Sequence, residues 1–176
     1  PDPVPGERPS MNGNEHAAGA LLAGAVGSED RPPKALILSA DIGEGHDLPA
    51  RMIKADLEAE VPGAEVEVAN GLEAMGRLYS AVVRGGSRVS FRWMPWVFDV
   101  QYWLITKFAP TRWLAHHLSY WLGARGLMKL IAANDPDVII STYPGVTAVL
   151  GMLRENRRLA TPVQSAITDL AGLRYW

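Results

Sequence analysis

His46 closes the run Ser39-Ala-Asp-Ile-Gly-Glu-Gly-His46, and Asp169 follows Thr168 at the far end of the chain. An imidazole is a general base near neutral pH, and a carboxylate can orient or stabilise it. Gly43 and Gly45 are spaced to let backbone approach a bound group, and glycine takes φ > 0 without strain. Free N–H groups at the start of a following helix would favour an anionic or strongly polar ligand atom. The same residues also fit a plain strand-to-helix turn with a surface histidine, and Asp169 fits a helix N-cap. Two other loops are excluded. A dinucleotide fingerprint needs a third glycine where Leu48 stands, and no G-x-x-x-x-G-K-[ST] run exists.

Such a turn needs a strand before it and a helix after it. Lys34–Ala40 is an apolar strand, and Ala50, Ile53, Leu57 and Val61 mark one face of a helix with Pro49 near its first turn. Pro62-Gly63 ends that helix. Glu65–Val68 alternates like a strand with one wet face, and a helix is expected from about Leu72 to Val83. Asp137–Thr142 is a third strand, Pro144-Gly145 opens a helix to about Asn156, and Pro162–Thr168 is the last strand. The alternation predicts an α/β, Rossmann-like parallel sheet with flanking helices. His46 and Asp169 then both lie at carboxyl ends of strands, where open α/β sheets bind ligands.

Residues 1–33, rich in Pro, Gly, Ala and acidic side chains, read as a flexible tail, and residues 34–176 as one folded domain. Pro1 need not be a natural start, and Met11 is a candidate one. The chain has 176 residues and no cysteine, which excludes disulfides, thiolate metal sites and a cysteine nucleophile and fits a reducing cytosol. No run of 18 apolar residues occurs. The apolar stretch 17–26 follows Glu15 rather than a basic segment, so it is not read as a signal peptide. No metal cluster is visible. His116 and His117 are adjacent and diverge by about 100° on a helix.

The net charge of −2 hides a segregation. Between Ala74 and Ala133 stand eight basic residues and a single acidic one, Asp99, so this stretch carries +7 and the rest −9. An anionic partner is expected for it. Five of the six tryptophans lie in the same region. Trp93, Trp96, Val97, Val100, Trp103, Leu104 and Phe108 form one helical stripe. Past Pro110, Leu114, Leu118, Trp121, Leu122 and Met128 form another. A helical hairpin packed into the core and a surface dipping into a membrane interface both fit this pattern, as does a mixture with one stripe packed and one near lipid. Trp93, Trp96, Trp103, Trp113, Arg88, Arg92 and Arg112 are the expected membrane contacts.

In order and spacing, three landmarks resemble the amino-terminal domain of monogalactosyldiacylglycerol synthases and the related bacterial diacylglycerol glucosyltransferases, over about residues 34–176. They are Ser39-Ala-Asp-Ile-Gly-Glu-Gly-His46, Asp135-Pro-Asp-Val-Ile-Ile-Ser-Thr-Tyr-Pro144, and Thr168-Asp-Leu…Trp176. The resemblance implies the amino-terminal half of a GT-B glycosyltransferase, with two Rossmann-like domains facing a cleft. It implies transfer of a hexose from a UDP-sugar to a lipid hydroxyl such as diacylglycerol. The family's catalytic base falls on His46 and its loop glycines on Gly43 and Gly45. Its cleft Thr-Asp pair falls on Thr168 and Asp169, and Pro144 sits in the middle landmark on the acceptor side. Where several relatives carry a histidine five residues after that Thr, this chain has Leu173. The glycine turn with its histidine also recurs in the enzyme that adds N-acetylglucosamine to a peptidoglycan lipid precursor.

The expectations are therefore a UDP-sugar as donor substrate, no permanently bound cofactor, no metal and no nucleic-acid partner. A lipid acceptor and an anionic membrane surface are the expected partners, with peripheral attachment on the cytoplasmic face. A donor-binding domain is expected beyond Trp176, and this chain alone is expected to be inactive. Two other readings stand beside this one. A noncatalytic membrane-binding α/β module would use the basic aromatic segment alone, and a soluble nucleotide-binding domain would use the glycine turn alone.

Overall fold

The computed structural model describes residues 31–41, 44–81 and 109–167, together with residues 20, 83 and 85. The elements, in chain order, are β1 (Lys34–Ser39), α1 (Glu44–Glu60), β2 (Glu65–Asn70) and α2 (Gly71–Ala74). They continue with α3 (Ala109–Asn134), β3 (Val138–Ser141), α4 (Pro144–Glu155) and β4 (Val163–Ser165). All the pairings are parallel and the strand order is β2-β1-β3-β4. The expected α/β, Rossmann-like fold with a parallel sheet and flanking helices is the observed one.

β1 is central, and five of its six residues are buried. Its alternating side chains face two separate cores. Ala35 and Ile37, with Val138 and Ile140 of β3, pack under α1 through Ala50, Ile53, Leu57 and Val61. Leu36 and Leu38, with Ile139, pack under α3 and α4 through Leu127, Ile131, Val146, Val149, Leu150 and Leu153. Helices on opposite faces are what right-handed crossovers require when the chain steps outward from β1 to β2, then back across β1 to β3. At the amino edge of the sheet, Asp137 pairs with Arg31 at 2.6 Å and accepts the Lys34 N–H at 2.8 Å, which fixes β1 against β3.

Three local expectations are corrected. The single helix over Leu72–Val83 is broken. α2 stops at Ala74, Gly76 takes φ +116°, and helical residues resume at 77–81. A non-glycine side chain would be strained at that φ. Second, Pro49 lies deeper in α1 than its first turn, since the helix already begins at Glu44. It has no N–H to offer the Gly45 carbonyl. Third, the dry face of β2 is limited to Val66. Val68 is exposed, because β2 is the edge strand of the described sheet.

α2 and α3 approach each other through glycines. A Cβ on Gly126 would stand 1.8 Å from the Ala74 carbonyl oxygen, and one on Gly123 would meet the Met75 side chain at 2.5 Å. Asn70 caps α2 by accepting the Glu73 N–H at 3.0 Å.

Candidate active site at the switch between β1 and β3

The order β2-β1-β3-β4 reverses direction between β1 and β3. At such a reversal, the loops leaving the two strands diverge to opposite faces and open a crevice at the carboxyl edge. His46, in the first turn of α1 after β1, meets Thr142 and Tyr143, which follow β3. The two loops lie 96 residues apart in sequence.

His46 Nδ1 is 2.8 Å from the Thr142 carbonyl oxygen. A carbonyl only accepts, so Nδ1 carries the proton and donates it. In the neutral ring Nε2 is then the basic nitrogen. Thr142, fully buried, returns a second bond: its Oγ1–H donates to the His46 carbonyl at 3.0 Å. The Thr142 N–H donates to Leu38 O at 3.1 Å, tying the pair to the end of β1. The Tyr143 ring packs against the imidazole in a T-shaped contact, with centroids 5.2 Å apart and planes at 77°. Burial, and then repulsion from Tyr79, push the Tyr143 phenol far above its ordinary pKa of 10.0, so it is a neutral donor at physiological pH.

Around this pair the loops are pinned. Ser39 Oγ–H donates to Asp47 Oδ1, locking the start of α1 to the end of β1. On the β3 side, Thr147 Oγ1–H donates to Ser141 Oγ at 2.9 Å, and Ser141 donates to Tyr143 O at 3.2 Å. Pro144 occupies the first turn of α4, after Tyr143 at the N-cap.

Of the residues singled out from the sequence, the structure brings His46, Gly45 and Pro144 to this edge. Gly45 is helical, without positive φ, and a Cβ there would meet nothing within 4 Å. The turn conformation expected of it is therefore not adopted, because the helix starts at Glu44. Gly43, Thr168 and Asp169 lie outside the described residues. The nitrogen that an orienting carboxylate would take in a hydrolase-like pairing is held here by the Thr142 carbonyl. Thr142 and Tyr143 had no assigned role in the sequence reading. The only signal was their place in the Asp135–Pro144 landmark, since a main-chain acceptor leaves no side-chain signature. Among the described residues no group of acidic and histidine side chains could hold a metal ion.

The aromatic segment is described only from α3 onward. Trp93, Trp96, Trp103, Arg88, Arg92 and the Arg112 side chain lie outside the described residues. The second stripe divides. Trp113, Leu114, Leu118 and Trp121 are exposed, with Trp121 at 79%, whereas Met128 packs against the core. The core-facing residues of α3 are instead Ala124, Leu127 and Ile131. Trp113 stacks on His117, with centroids 4.1 Å apart. Among the described residues no helix is long and apolar enough to cross a membrane.

A family model for monogalactosyldiacylglycerol (MGDG) synthase matches residues 46–176, about three quarters of the chain. The chain belongs to the MGDG synthase family. Membership makes it a glycosyltransferase-type chain of glycolipid synthesis. The match begins at His46 and spans β3, the Thr142–Tyr143 loop and the aromatic segment, so the family's pattern includes both sides of the crevice. No curated protein and no solved structure matched the chain.

Proposed function

We propose that this chain forms the acceptor side of a GT-B transferase that moves a hexose from a UDP-sugar to a lipid hydroxyl such as that of diacylglycerol. Galactose is the sugar to which the family's description points. The observation that carries the reading is the Nδ1–H donated by His46 to Thr142 O, at the strand-order reversal. A neutral imidazole held this way presents Nε2 as a base. As the acceptor oxygen bonds to the anomeric carbon, its proton passes to Nε2. The bond from that carbon to the diphosphate breaks, and UDP leaves with the electron pair. An alkoxide-forming hydroxyl needs this help, because its own pKa lies far above neutrality.

The exposed side of α3 supports a peripheral seat on an anionic membrane surface. Trp113, Leu114, Leu118 and Trp121 supply apolar area, and exposed Arg125 and Lys129 supply charge. A lipid hydroxyl would then reach the crevice while its tails stay in the bilayer.

The test is His46→Ala in the active protein, assayed with UDP-galactose and diacylglycerol. The expected result is a fall in kcat of about 10²–10⁴-fold with little change in acceptor KM. Near-normal turnover would remove His46 from the mechanism.

A further inference from the structure

We propose that Thr142 is the positioning residue of this site: its backbone carbonyl selects the Nδ1–H tautomer of His46, and its hydroxyl holds the His46 backbone in register with β3. The proposal rests on the reading of His46 as the base. The two bonds are reciprocal. The His46 side chain donates to the Thr142 main chain at 2.8 Å, and the Thr142 side chain donates to the His46 main chain at 3.0 Å. Each bond runs from one side chain to the other main chain, so a shift of either backbone segment past the other breaks both, just as the paired bonds of a capping box fix a helix start. The Thr142 hydroxyl has a single proton. The His46 carbonyl is the nearer acceptor, since Leu38 O lies at 3.5 Å.

The frame behind the clamp is rigid. Thr142 is fully buried and follows the buried Ser141, and its N–H extends the β1–β3 ladder by one bond to Leu38 O at 3.1 Å. A carbonyl so fixed cannot swing to follow a ring that flips. The T-shaped contact with the Tyr143 ring also restricts rotation of the imidazole. Backbone acceptors set histidine tautomers in the same way at metal sites, where the nitrogen that does the chemistry is chosen by the bond the other nitrogen makes. Here the choice is made by the sheet itself, through the residue that directly follows β3. Thr142 is thus distinct from the carboxylate expected at Asp169: it acts through main-chain geometry and bears no charge.

The test is the tautomer of His46 in the ¹⁵N-labelled chain, read from long-range ¹H–¹⁵N correlations and assigned by loss of the signals in His46→Ala. The wild type should show Nδ1 protonated in the neutral ring. The opposite tautomer would overturn the proposal. Thr142→Val keeps the volume and removes the hydroxyl. It should keep the Nδ1–H tautomer, since valine retains the carbonyl, but in the active protein lower kcat by about three- to tenfold, the size expected from one hydrogen bond, while acceptor KM stays near wild type. Thr142→Ser should restore kcat. An unchanged kcat in Thr142→Val, or no restoration by serine, would also overturn it. If Thr142→Val does not fold, the wild-type and Thr142→Ser spectra decide.

The two readings fail separately. An Nδ1–H tautomer with normal turnover in His46→Ala keeps the clamp and removes the base. An Nε2–H tautomer with turnover lost in His46→Ala does the reverse.

Discussion

Tyr143 and His46 meet in a T-shaped ring contact, with centroids 5.2 Å apart and planes at 77°. This edge-to-face geometry puts the positive rim of one ring against the negative face of the other. The contact uses the ring and not the phenol oxygen, so Tyr143→Phe should leave the imidazole in place. It should, however, change the response to alkali. In the folded chain the phenol is raised above 10.0 by burial, so the unfolded chain loses its proton first as pH rises. Stability is full below pH 10 and falls above it. Tyr79, also raised by burial, acts in the same sense. In chemical denaturation between pH 9 and 11.5, Tyr143→Phe should reduce the steepness of that fall by up to about 1.4 kcal/mol per pH unit. An unchanged slope would mean that Tyr143 is not protected in the fold.

Gly126 and Gly151 offer a matched pair for the same substitution. At Gly126 the added methyl would stand 1.8 Å from the Ala74 carbonyl oxygen, and α2 and α3 would have to part. Gly126→Ala should cost about 3 kcal/mol or more. At Gly151, in the middle of α4, nothing lies within 4 Å, and Gly151→Ala should gain up to about 1 kcal/mol of helix stability. Melting temperatures of the two variants should therefore move in opposite directions. Equal shifts would contradict the close approach of α2 and α3.

The exposed side of α3 predicts membrane affinity. Trp121 is 79% exposed, so Trp121→Ser should leave stability within about 0.5 kcal/mol of wild type. About 100 Å² of indole moved out of water into the lipid interface is worth roughly 2.5 kcal/mol, or close to a hundredfold in affinity. Flotation with anionic vesicles should show a loss of that order for Trp121→Ser. Binding by the wild type should fall as salt rises, and Arg125→Glu with Lys129→Glu should remove much of the salt dependence. Equal recovery of all variants at low and high salt would place lipid contact elsewhere.

The apolar run of β1, the 50-53-57-61 stripe of α1 and the β-α alternation were legible from residue order alone. Periodicity 2 and periodicity 3.6 are local properties, and a strand buried on both faces reads as a continuous apolar run, here Ala35 to Leu38, wherever it is placed. The position of His46 after a strand was legible for the same reason, because a strand end and a helix start are written in neighbouring residues. Gly76 was not recognised as a break, since glycine is tolerated within a helical pattern and only its φ of +116° reveals the turn. Whether the stripe from Leu114 to Met128 faces core or surface was not legible. Its apolar residues are spaced as a core face, yet the sheet is covered by Ala124, Leu127 and Ile131, and nothing in the spacing says which of two apolar faces meets the sheet.

By itself, the sequence determined that this chain makes a parallel α/β layer structure, with a histidine turn after its first strand and a basic aromatic segment in its middle. Strand order was decided only in three dimensions, because pairing between β1 and β3 joins residues about a hundred positions apart and depends on which crossovers bury both faces of β1. That order creates the reversal at which His46 meets Thr142. The bond between them ends on a main-chain carbonyl, an atom that every residue carries, so only the folded path of the backbone could single it out.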